Sequence, residues 1–477
     1  MPNDIYLSEL PSDLKFINSE EVPNLADFRG KALLLNFFTG ASIACEQQIQ
    51  EIKQLEVKYQ DGLVVLGIHT PKHATDADDE QVLKIANRLH LRHLVANDRE
   101  WLLWRQLGIE VWPTAVLFDH DGKLVSVYQG EARRTEIEAK VQEILDKAQE
   151  ADCRSYEPGP ASRRPEDRGV LRFPTRLCAS DNYLYIADTG YNRVLEVTWD
   201  GRVKRQFGSQ NPGYWDARES EAGFRSPVGL ALTRDWLYIA DTGNHMLRRA
   251  RLISGDVETL AGVGHWERPS SADYAQAKAA PMASPMDVAV HNERVYVAQA
   301  GIHQIWQYDP LRNVLISFCG SGREDVLDGN GLFATHAQPS GLAMGADALY
   351  VLDASSSALR SIRLYDAKVS TLVPGGLFSS GTTDGPAISA RMCHPTALHF
   401  DAARGVLWIA DTLNHKLRVF SIAKGEMKSL NINYKLRSPS GICVAQGCVF
   451  IANTDAHEVL RLDLKTGKLA RLVLTFP

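Results

Sequence analysis

Cys45 is the residue of this chain whose type and position best fit thiol chemistry. It opens a predicted helix soon after a predicted buried strand, and a helix N-terminus stabilises a thiolate through free N–H groups and positive partial charge. Ser42 lies three residues earlier, where a second thiol would complete a Cys-x-x-Cys pair. A serine hydroxyl cannot form a mixed disulfide, so dithiol exchange through this pair is chemically excluded. Ser42 instead suits the N-cap of the helix.

The seven cysteines of the 477 residues are scattered, with no Cys-x-x-Cys pair and no spacing typical of a metal site. This usage fits a reducing compartment. The first residues are polar and acidic, unlike a secretion signal, and no apolar run of about 18 residues predicts a membrane span. We expect a cytoplasmic protein without a metal, a cofactor or a membrane anchor.

The elements that position Cys45 alternate between apolar strands and amphipathic helices up to about residue 150, which predicts βαβ units. The predicted strands cover residues 31–38, 63–69, 111–118 and 123–128, and the predicted helices cover 45–59, 79–91 and 133–149. His69 ends the second strand, and Trp112-Pro113-Thr114 lies at the start of the third. The pattern predicts a sheet with helices on its faces.

This order of elements, with a short loop opening a long helix and a Pro-Thr at a late strand, resembles the thioredoxin superfamily. The resemblance implies that Pro113 corresponds to the cis-proline that faces the active-site loop, either as a turn that the fold requires or as a retained substrate contact. Cys45 is then the candidate catalytic residue, and the candidate binding residues are Ser42, His69, Trp112, Pro113 and Thr114.

Ser-x-x-Cys is also similar to the Thr-x-x-Cys of peroxiredoxins, in which the hydroxyl helps to hold the peroxidatic sulfur. That family places a proline four residues before the threonine, where this sequence has Phe38. Two interpretations of Cys45 therefore stay open: a buried structural thiol, or a single thiol that reduces a peroxide or another thiol substrate.

From residue 170 onward the sequence repeats. Each unit opens with a proline and continues with an aromatic-aliphatic strand such as LYIADTGNHMLRRA, and the prolines are Pro174, Pro227, Pro285, Pro339, Pro395 and Pro439. The spacing suits four-stranded propeller blades. The motifs resemble NHL repeats, which implies a six-bladed β-propeller. Residues 170–173 could add an edge strand to the last sheet.

Histidines recur at equivalent places in the repeats: His245, His303, His415 and His457. Positions on the third strands of neighbouring blades are roughly 10 Å or more apart, whereas the ligands of one zinc lie within about 2.1 Å of it. We therefore expect these histidines to form turn hydrogen bonds. Long connections between blades, over residues 208–226, 262–284, 320–338 and 375–394, are the candidate binding surface.

Over essentially its whole length the chain is similar to the NHL-repeat-containing protein 2 family. The stretch typical of that family after an aromatic pair is Cys-Cys-Ile-x-Cys, and here it reads Ala41-Ser42-Ile43-Ala44-Cys45. The predicted architecture is multidomain: an α/β thioredoxin-like domain (1–152), a linker (153–169) and an all-β six-bladed NHL β-propeller (170–477).

We expect a non-catalytic binding or scaffold protein that engages a protein or peptide through the interdomain cleft and the loop-rich propeller face. The alternative is a one-cysteine thiol or peroxide reductase acting through Cys45. Residues 170–477 carry 32 Lys and Arg against 29 Asp and Glu, a net charge of about +3. This charge argues against the single-stranded RNA binding known among NHL propellers, so we expect no nucleic-acid partner. No convergent His or carboxylate cluster supports a propeller lyase or lactonase.

Overall fold

The computed structural model describes residues 5–7, 9–20, 22–162 and 169–476. The chain divides into two compact units, Met1–Asp167 and Arg168–Pro477. Among the described residues, no helix is long and apolar enough to span a membrane.

The first unit contains a six-stranded sheet in the order β1-β4-β3-β2-β5-β6. Its strands are β1 (Lys15–Phe16), β2 (Ala32–Phe38), β3 (Leu63–His69), β4 (Leu94–Asn97), β5 (Thr114–Phe118) and β6 (Leu124–Gln129). Its helices are α1 (Ile43–Lys58), α2 (Asp79–Arg88), α3 (Leu102–Gln106) and α4 (Arg134–Glu150). Strands β2, β3 and β4 are parallel, and β1, β5 and β6 are each antiparallel to their neighbours. The thioredoxin-like fold predicted for this part is confirmed.

Both faces of the central strand β2 are buried, because successive side chains of a strand point to opposite faces. Leu34 packs in a cluster with residues of α1 and α4, whereas Leu35 packs in a cluster with Trp104 of α3. A strand covered on both faces is apolar at almost every position, which explains the run ALLLNFF.

The first part of the predicted linker lies on the first unit. The Ser155 N–H donates to the Gly30 carbonyl at 3.1 Å, and the Ser162 N–H donates to the Arg92 carbonyl at 2.7 Å. Residues 163–168 of the predicted linker lie outside the described residues.

The second unit consists of six antiparallel sheets, which confirms the six-bladed propeller. Blades 1 and 2 contain β7 (Pro174–Ala179), β8 (Tyr183–Asp188), β9 (Arg193–Thr198), β10 (Val203–Phe207), β11 (Pro227–Leu232), β12 (Trp236–Asp241), β13 (Met246–Arg251) and β14 (Val257–Ala261). Blades 3 and 4 contain β15 (Asp273–Tyr274), β16 (Pro285–His291), β17 (Arg294–Gln299), β18 (Gln304–Asp309), β19 (Val314–Cys319), β20 (Gly329–Asn330), β21 (Pro339–Met344), β22 (Ala348–Asp353), β23 (Ala358–Arg363) and β24 (Lys368–Val373). Blades 5 and 6 contain β25 (Gly385–Pro386), β26 (Ala397–Asp401), β27 (Val406–Asp411), β28 (Lys416–Ser421), β29 (Glu426–Ser429), β30 (Pro439–Ala445), β31 (Cys448–Asn453), β32 (Glu458–Asp463) and β33 (Leu469–Arg471).

Residues 170–173 lie outside any strand, so they do not add the edge strand to the last sheet that the sequence allowed. Instead the last residues of the chain pair with blade 1. The Val203 N–H donates to the Thr475 carbonyl at 2.9 Å, and the Thr475 N–H donates to the Gly201 carbonyl at 3.0 Å. In blades 3, 4 and 5 the corresponding outer pairing comes from the preceding connection, through β15, β20 and β25. Blade 1 follows no other blade in the chain, so the C-terminal segment supplies this pairing.

Candidate functional site

Ser42 caps α1. Its extended backbone, with φ −137°, places the side-chain oxygen 3.3 Å from the Cys45 nitrogen, whose N–H donates to it. This contact is the N-cap hydrogen bond predicted from the sequence, and it satisfies one of the free N–H groups at the start of the helix.

The Cys45 thiol is enclosed by apolar side chains of the first unit. The residue is 0% exposed and packs in a cluster with Phe38, Ile49 and Val82. Burial raises the pKa of Cys45 to about 12, and the hydrogen bond with Ser42 lowers this pKa only in part. The neighbouring Glu46 carboxylate also raises it. At neutral pH Cys45 is therefore a neutral thiol without exposed surface, and a neutral thiol is neither a nucleophile nor a metal ligand.

His69 lies at the end of β3, in register with Phe38 of β2 and Asn97 of β4. It is 0% exposed, and its ring meets the Phe38 ring edge-on, with 5.4 Å between centroids. Burial lowers the pKa of His69 to about 4. Among the described residues no hydrogen bond joins His69 to Cys45.

Trp112 and Pro113 are joined by a cis peptide bond, as the resemblance to thioredoxins implied. The Trp112 ring packs on Trp104 and Trp101, with centroid distances of 4.6 Å and 5.2 Å. It also borders the apolar cluster that contains Cys45. Thr114 donates its hydroxyl hydrogen to the Val111 carbonyl at 2.7 Å. The candidate residues thus lie at one end of the sheet, held by packing and backbone contacts.

A buried carboxyl that the sequence did not reveal, that of Asp76, also lies at this end of the sheet. The Thr39 hydroxyl donates to Asp76 Oδ2 at 3.0 Å, and the His73 N–H donates to Asp76 Oδ1 at 3.1 Å. Asp76 is 0% exposed, and burial raises its pKa to about 6. These hydrogen bonds fasten the loop after β3 to the turn before α1. The polar run TPKHATDAD that contains Asp76 looks like a solvated loop, so its sequence carried no signal of burial.

In the propeller, the recurrent histidines join neighbouring blades. Each of these histidines, like Asn192 and Ser357 at the equivalent positions, stands immediately before the third strand in the left-handed backbone conformation, with φ between 52° and 57°. Its side chain accepts a hydrogen bond from the backbone N–H that precedes the next blade's first strand, at 2.9 to 3.2 Å. The six acceptor–donor pairs are Asn192–Ser226, His245–Ser284, His303–Gln338, Ser357–His394, His415–Ser438 and His457–Phe173. The prediction of hydrogen bonding at these turns is confirmed, and the last pair links blade 6 to blade 1.

A buried ion pair crosses the axis of the ring. Arg176 of blade 1 and Asp287 of blade 3 are 5% and 4% exposed, and Arg176 Nε lies 3.1 Å from Asp287 Oδ2. The Arg176 guanidinium also donates to the carbonyls of Ser340, Thr396 and Ser440, in blades 4, 5 and 6. The other four blades carry glycine or alanine at this position: Gly229, Gly341, Ala397 and Gly441. An alignment of the six repeats shows this pair in the sequence, because one arginine and one aspartate stand among glycines and an alanine at the same position.

Three of the connections between blades are fastened by a buried arginine between two aspartates. In blade 4, for example, Arg360 is 0% exposed and lies 3.0 Å from Asp353 of β22 and 2.9 Å from Asp328 of the connection. Asp328 also accepts from the N–H and hydroxyl of Thr371. We call this arrangement the Asp–Arg–Asp lock; it occurs as Asp241–Arg248–Asp216, Asp353–Arg360–Asp328 and Asp411–Arg418–Asp384 in blades 2, 4 and 5.

Large apolar side chains are exposed on these fastened connections. Phe333 is 89% exposed and Phe378 is 82% exposed, and Tyr214, Trp215, Leu327 and Ile388 are also exposed. We call residues 208–226, 262–284, 320–338 and 375–394 the connection surface. Exposed aromatic groups on a surface of defined shape are what a protein or peptide partner can bury.

Comparison with known proteins matches both parts of the chain. A family model described as Redoxin matches residues 11–145. NHL repeat-containing protein 2 of Gallus gallus is 30% identical, over 99% of this chain and 72% of that protein. The Homo sapiens protein of the same name is 29% identical, over 98% of this chain and 72% of its own length. Protein SUPPRESSOR OF QUENCHING 1, chloroplastic, of Arabidopsis thaliana is 31% identical, over 96% of this chain and 47% of its own length.

Proposed function

This chain belongs to the NHL repeat-containing protein 2 family, and from this premise we propose that it is a binding or scaffold protein whose connection surface engages a protein or peptide. The observation that carries the proposal is the exposure of Phe333 and Phe378 on connections that the propeller holds in place. We also propose a cytoplasmic location, which the seven free cysteines support.

The connection surface suits a partner because its shape is largely fixed before binding. A loop that is already ordered loses less conformational entropy on association, so more of the contact energy appears as affinity. The Asp–Arg–Asp locks supply that order, since each arginine holds its connection by both a carboxylate and backbone carbonyls. Arg360, for instance, donates to the carbonyls of Thr335 and Leu327 in the connection before β21.

The alternative function, reduction of a peroxide or a thiol substrate, requires an accessible Cys45 thiolate. Burial of Cys45 and its raised pKa both oppose formation of that thiolate. A single-stranded RNA partner requires a strongly basic face, and the net charge of about +3 over residues 170–477 does not favour one.

Affinity capture with matched surface variants tests the proposal. The full chain is used as bait with Phe333→Ser and Phe378→Ser combined, because both side chains are exposed and neither substitution opens a cavity. We expect the combined variant to lose the partners that the unsubstituted protein retains, measured by quantitative mass spectrometry of the captured proteins.

Ile253→Ser combined with Leu311→Ser is the control. These side chains are 87% and 83% exposed but lie in hairpin turns outside the connection surface. The control should retain the same partners. Equal loss in both variants, or no specific partner for the unsubstituted protein, would contradict the proposal.

A further inference from the structure

Blade 6 differs from the other five blades at its outer edge. In blades 1 to 5 a further segment pairs with the fourth strand: the C-terminal segment in blade 1, and the preceding connection in blades 2 to 5. The connection before blade 6 covers only residues 430–438, and among the described residues β33 pairs with β32 alone. The fourth strand of blade 6 therefore keeps one open edge.

Two backbone groups that are paired in the other blades face this open edge. Pairing with the third strand aligns Gly467 and Leu469 with Gly255 and Val257 of blade 2. The Gly255 carbonyl accepts a hydrogen bond from the preceding connection at 2.8 Å, and the Val257 N–H donates one to it at 2.8 Å. Within the part of the chain that the structure describes, the Gly467 carbonyl and the Leu469 N–H have no such partner.

The burial of the residue at the Leu469 position differs in the same way. In the other blades this residue is 0–4% exposed, and it is Val203, Val257, Leu315, Val369 or Met427. In blades 2 to 5 it packs in a cluster with a connection alanine that is 0% exposed: Ala222, Ala280, Ala334 and Ala390. The short connection 430–438 contains no alanine, and Leu469 is only partly buried.

A cavity of about 390 Å³ lies beside Leu469, between the end of β29 and β33. Leu430, Ile432 and Leu464 line it, and each of them is partly exposed. We call this cavity, together with the outer edge of β33, the blade-6 groove. It combines accessible apolar side chains with an open strand edge, which are the features that an added strand uses.

The charge of the blade-6 groove favours one kind of occupant. The hairpin of β32 and β33 carries four exposed cations, Arg461, Lys465, Lys468 and Arg471, against two anions, Glu458 and Asp463. Two copies of β33 paired edge to edge would bring like charges together, which is destabilising. An acidic segment of another protein instead meets the opposite charge.

We propose that the blade-6 groove binds an extended, acidic segment of a partner protein, which adds a strand antiparallel to β33. The segment donates a backbone hydrogen bond to the Gly467 carbonyl and accepts one from the Leu469 N–H. One of its apolar side chains enters the cavity, where blades 2 to 5 place a connection alanine. The blade-6 groove lies outside the connection surface, so it is a second interaction site beyond the proposed function.

The chain itself contains a segment with these properties in blade 2. Residues 214–224 carry three carboxylates and one arginine, and they include the buried Ala222. The Glu219 N–H donates to the Gly255 carbonyl, and the Ala217 carbonyl accepts from the Val257 N–H. A synthetic peptide with the sequence of residues 214–224 is therefore a suitable probe for the blade-6 groove.

Nuclear magnetic resonance of the full chain with isotope-labelled leucine tests the proposal. The amide signal of Leu469 is identified by its absence in Leu469→Ile, and the peptide is titrated to millimolar concentrations. We expect the peptide to move the Leu469 amide proton downfield, because this N–H gains a hydrogen bond. A peptide that is N-methylated at the Glu219 nitrogen cannot donate to the Gly467 carbonyl and should bind about tenfold more weakly.

Charge-reversal variants test the preference for an acidic segment. Lys468→Glu combined with Arg471→Glu should weaken peptide binding by about tenfold, and Lys468→Glu alone by about threefold. Lys368→Glu is the matched control, because exposed Lys368 has the same position on β24, where β20 already covers the edge. This control should bind the peptide like the unsubstituted protein.

An unmoved Leu469 signal, equal binding of the N-methylated peptide, unchanged affinity in the combined variant, or an equal loss in Lys368→Glu would overturn the proposal. A dimer in analytical ultracentrifugation, with a Leu469 signal that moves with protein concentration in the absence of peptide, would assign the edge to a second copy and would also overturn it. Loss of captured partners in the Phe333→Ser and Phe378→Ser variant would support the proposed function even if the blade-6 groove bound no peptide.

Discussion

The residue that immediately precedes the third strand of each blade must satisfy two conditions at once. It adopts a left-handed backbone conformation, which asparagine and histidine tolerate better than most residues, and its side chain must accept a hydrogen bond from the next blade. Asn192 meets both conditions in blade 1, where its Oδ1 accepts from the Ser226 N–H at 2.9 Å. His245 does the same in blade 2 through Nδ1, at 3.0 Å from the Ser284 nitrogen. The histidine therefore has to be neutral, since a protonated imidazole cannot accept.

His245 gives this contact a pH dependence. Burial lowers the pKa of His245 from 6.5 to about 3, so below pH 6.5 the unfolded chain binds a proton that the native protein does not. Its contribution to the free energy of unfolding is therefore complete above pH 6.5 and decreases as the pH falls toward 3, by up to about 1.4 kcal/mol per pH unit.

We predict that His245→Asn keeps the contact at neutral pH and removes this pH dependence. Urea unfolding of the propeller, measured between neutral pH and pH 4.5, should show a smaller acid-induced loss in His245→Asn than in the unsubstituted protein, by roughly 1–3 kcal/mol. His245→Ala should be less stable at neutral pH by about 1–3 kcal/mol, since the Ser284 N–H loses its partner, and this difference should shrink as the pH falls because alanine does not titrate. Parallel pH curves for the Asn variant and the unsubstituted protein would show that His245 is not the titrating group.

Much of the candidate site was visible in the sequence at this scale. The Ser42 cap followed from residue type and position, and Pro113 was identified through a resemblance. Asp76 and Arg176 were not found, because polar residues in loops and at strand starts are usually solvated. Only the folded structure shows that Asp76 and Arg176 are buried.

The helices and strands that the sequence predicted correctly are long. They are either covered on both faces or strongly amphipathic. The predicted strand over 63–69 coincides with β3, and the helix predicted over 45–59 corresponds to α1, which begins two residues earlier, directly after its cap. Strand β4 and helix α3 were missed, because four and five residues are too few for a period to show.

In the propeller the four strands of each blade followed from the repeat, but the additional pairing outside the fourth strand did not. β15, β20 and β25 have two residues each and come from connections that differ between blades. Their pairing depends on the contacts that hold each connection in place. In blades 4 and 5 these contacts are those of the Asp–Arg–Asp lock. Of the three blades with such an outer pairing, blade 3 has it without the lock.

At the scale of the whole ring, Arg176 joins blade 1 to four other blades through Asp287 and the carbonyls of Ser340, Thr396 and Ser440. Its removal leaves a buried carboxylate and three carbonyls with fewer partners. A buried ion pair is weak evidence of net stabilisation, but loss of one partner is costly.

We predict that Arg176→Met lowers the free energy of unfolding of the propeller by about 3–5 kcal/mol. Asp287→Asn should cost less, because Arg176 keeps its three carbonyl acceptors and a neutral amide replaces the carboxylate. Arg312→Met, at an exposed turn of blade 3, is the control and should unfold like the unsubstituted protein. A smaller cost for Arg176→Met than for Asp287→Asn would show that the carbonyl contacts do not stabilise the ring.

At the scale of the whole molecule, the proposed binding function predicts that Cys45 of the first unit is inaccessible to thiol reagents in the native protein. The chain contains its own reference for this property, since Cys153 is exposed while Cys45 is 0% exposed. Both thiols can be followed in one sample by peptide mapping after alkylation under native conditions, at pH values from about 6 to about 9.

Alkylation of the native protein therefore tests the claim that the Cys45 thiol is unavailable. We predict that Cys153 is alkylated throughout this range with a rate that rises with pH, and that Cys45 stays unmodified until the protein is denatured. Alkylation of native Cys45 at a rate close to that of Cys153, with an apparent pKa at or below about 8.5, would contradict the claim and favour a thiol enzyme.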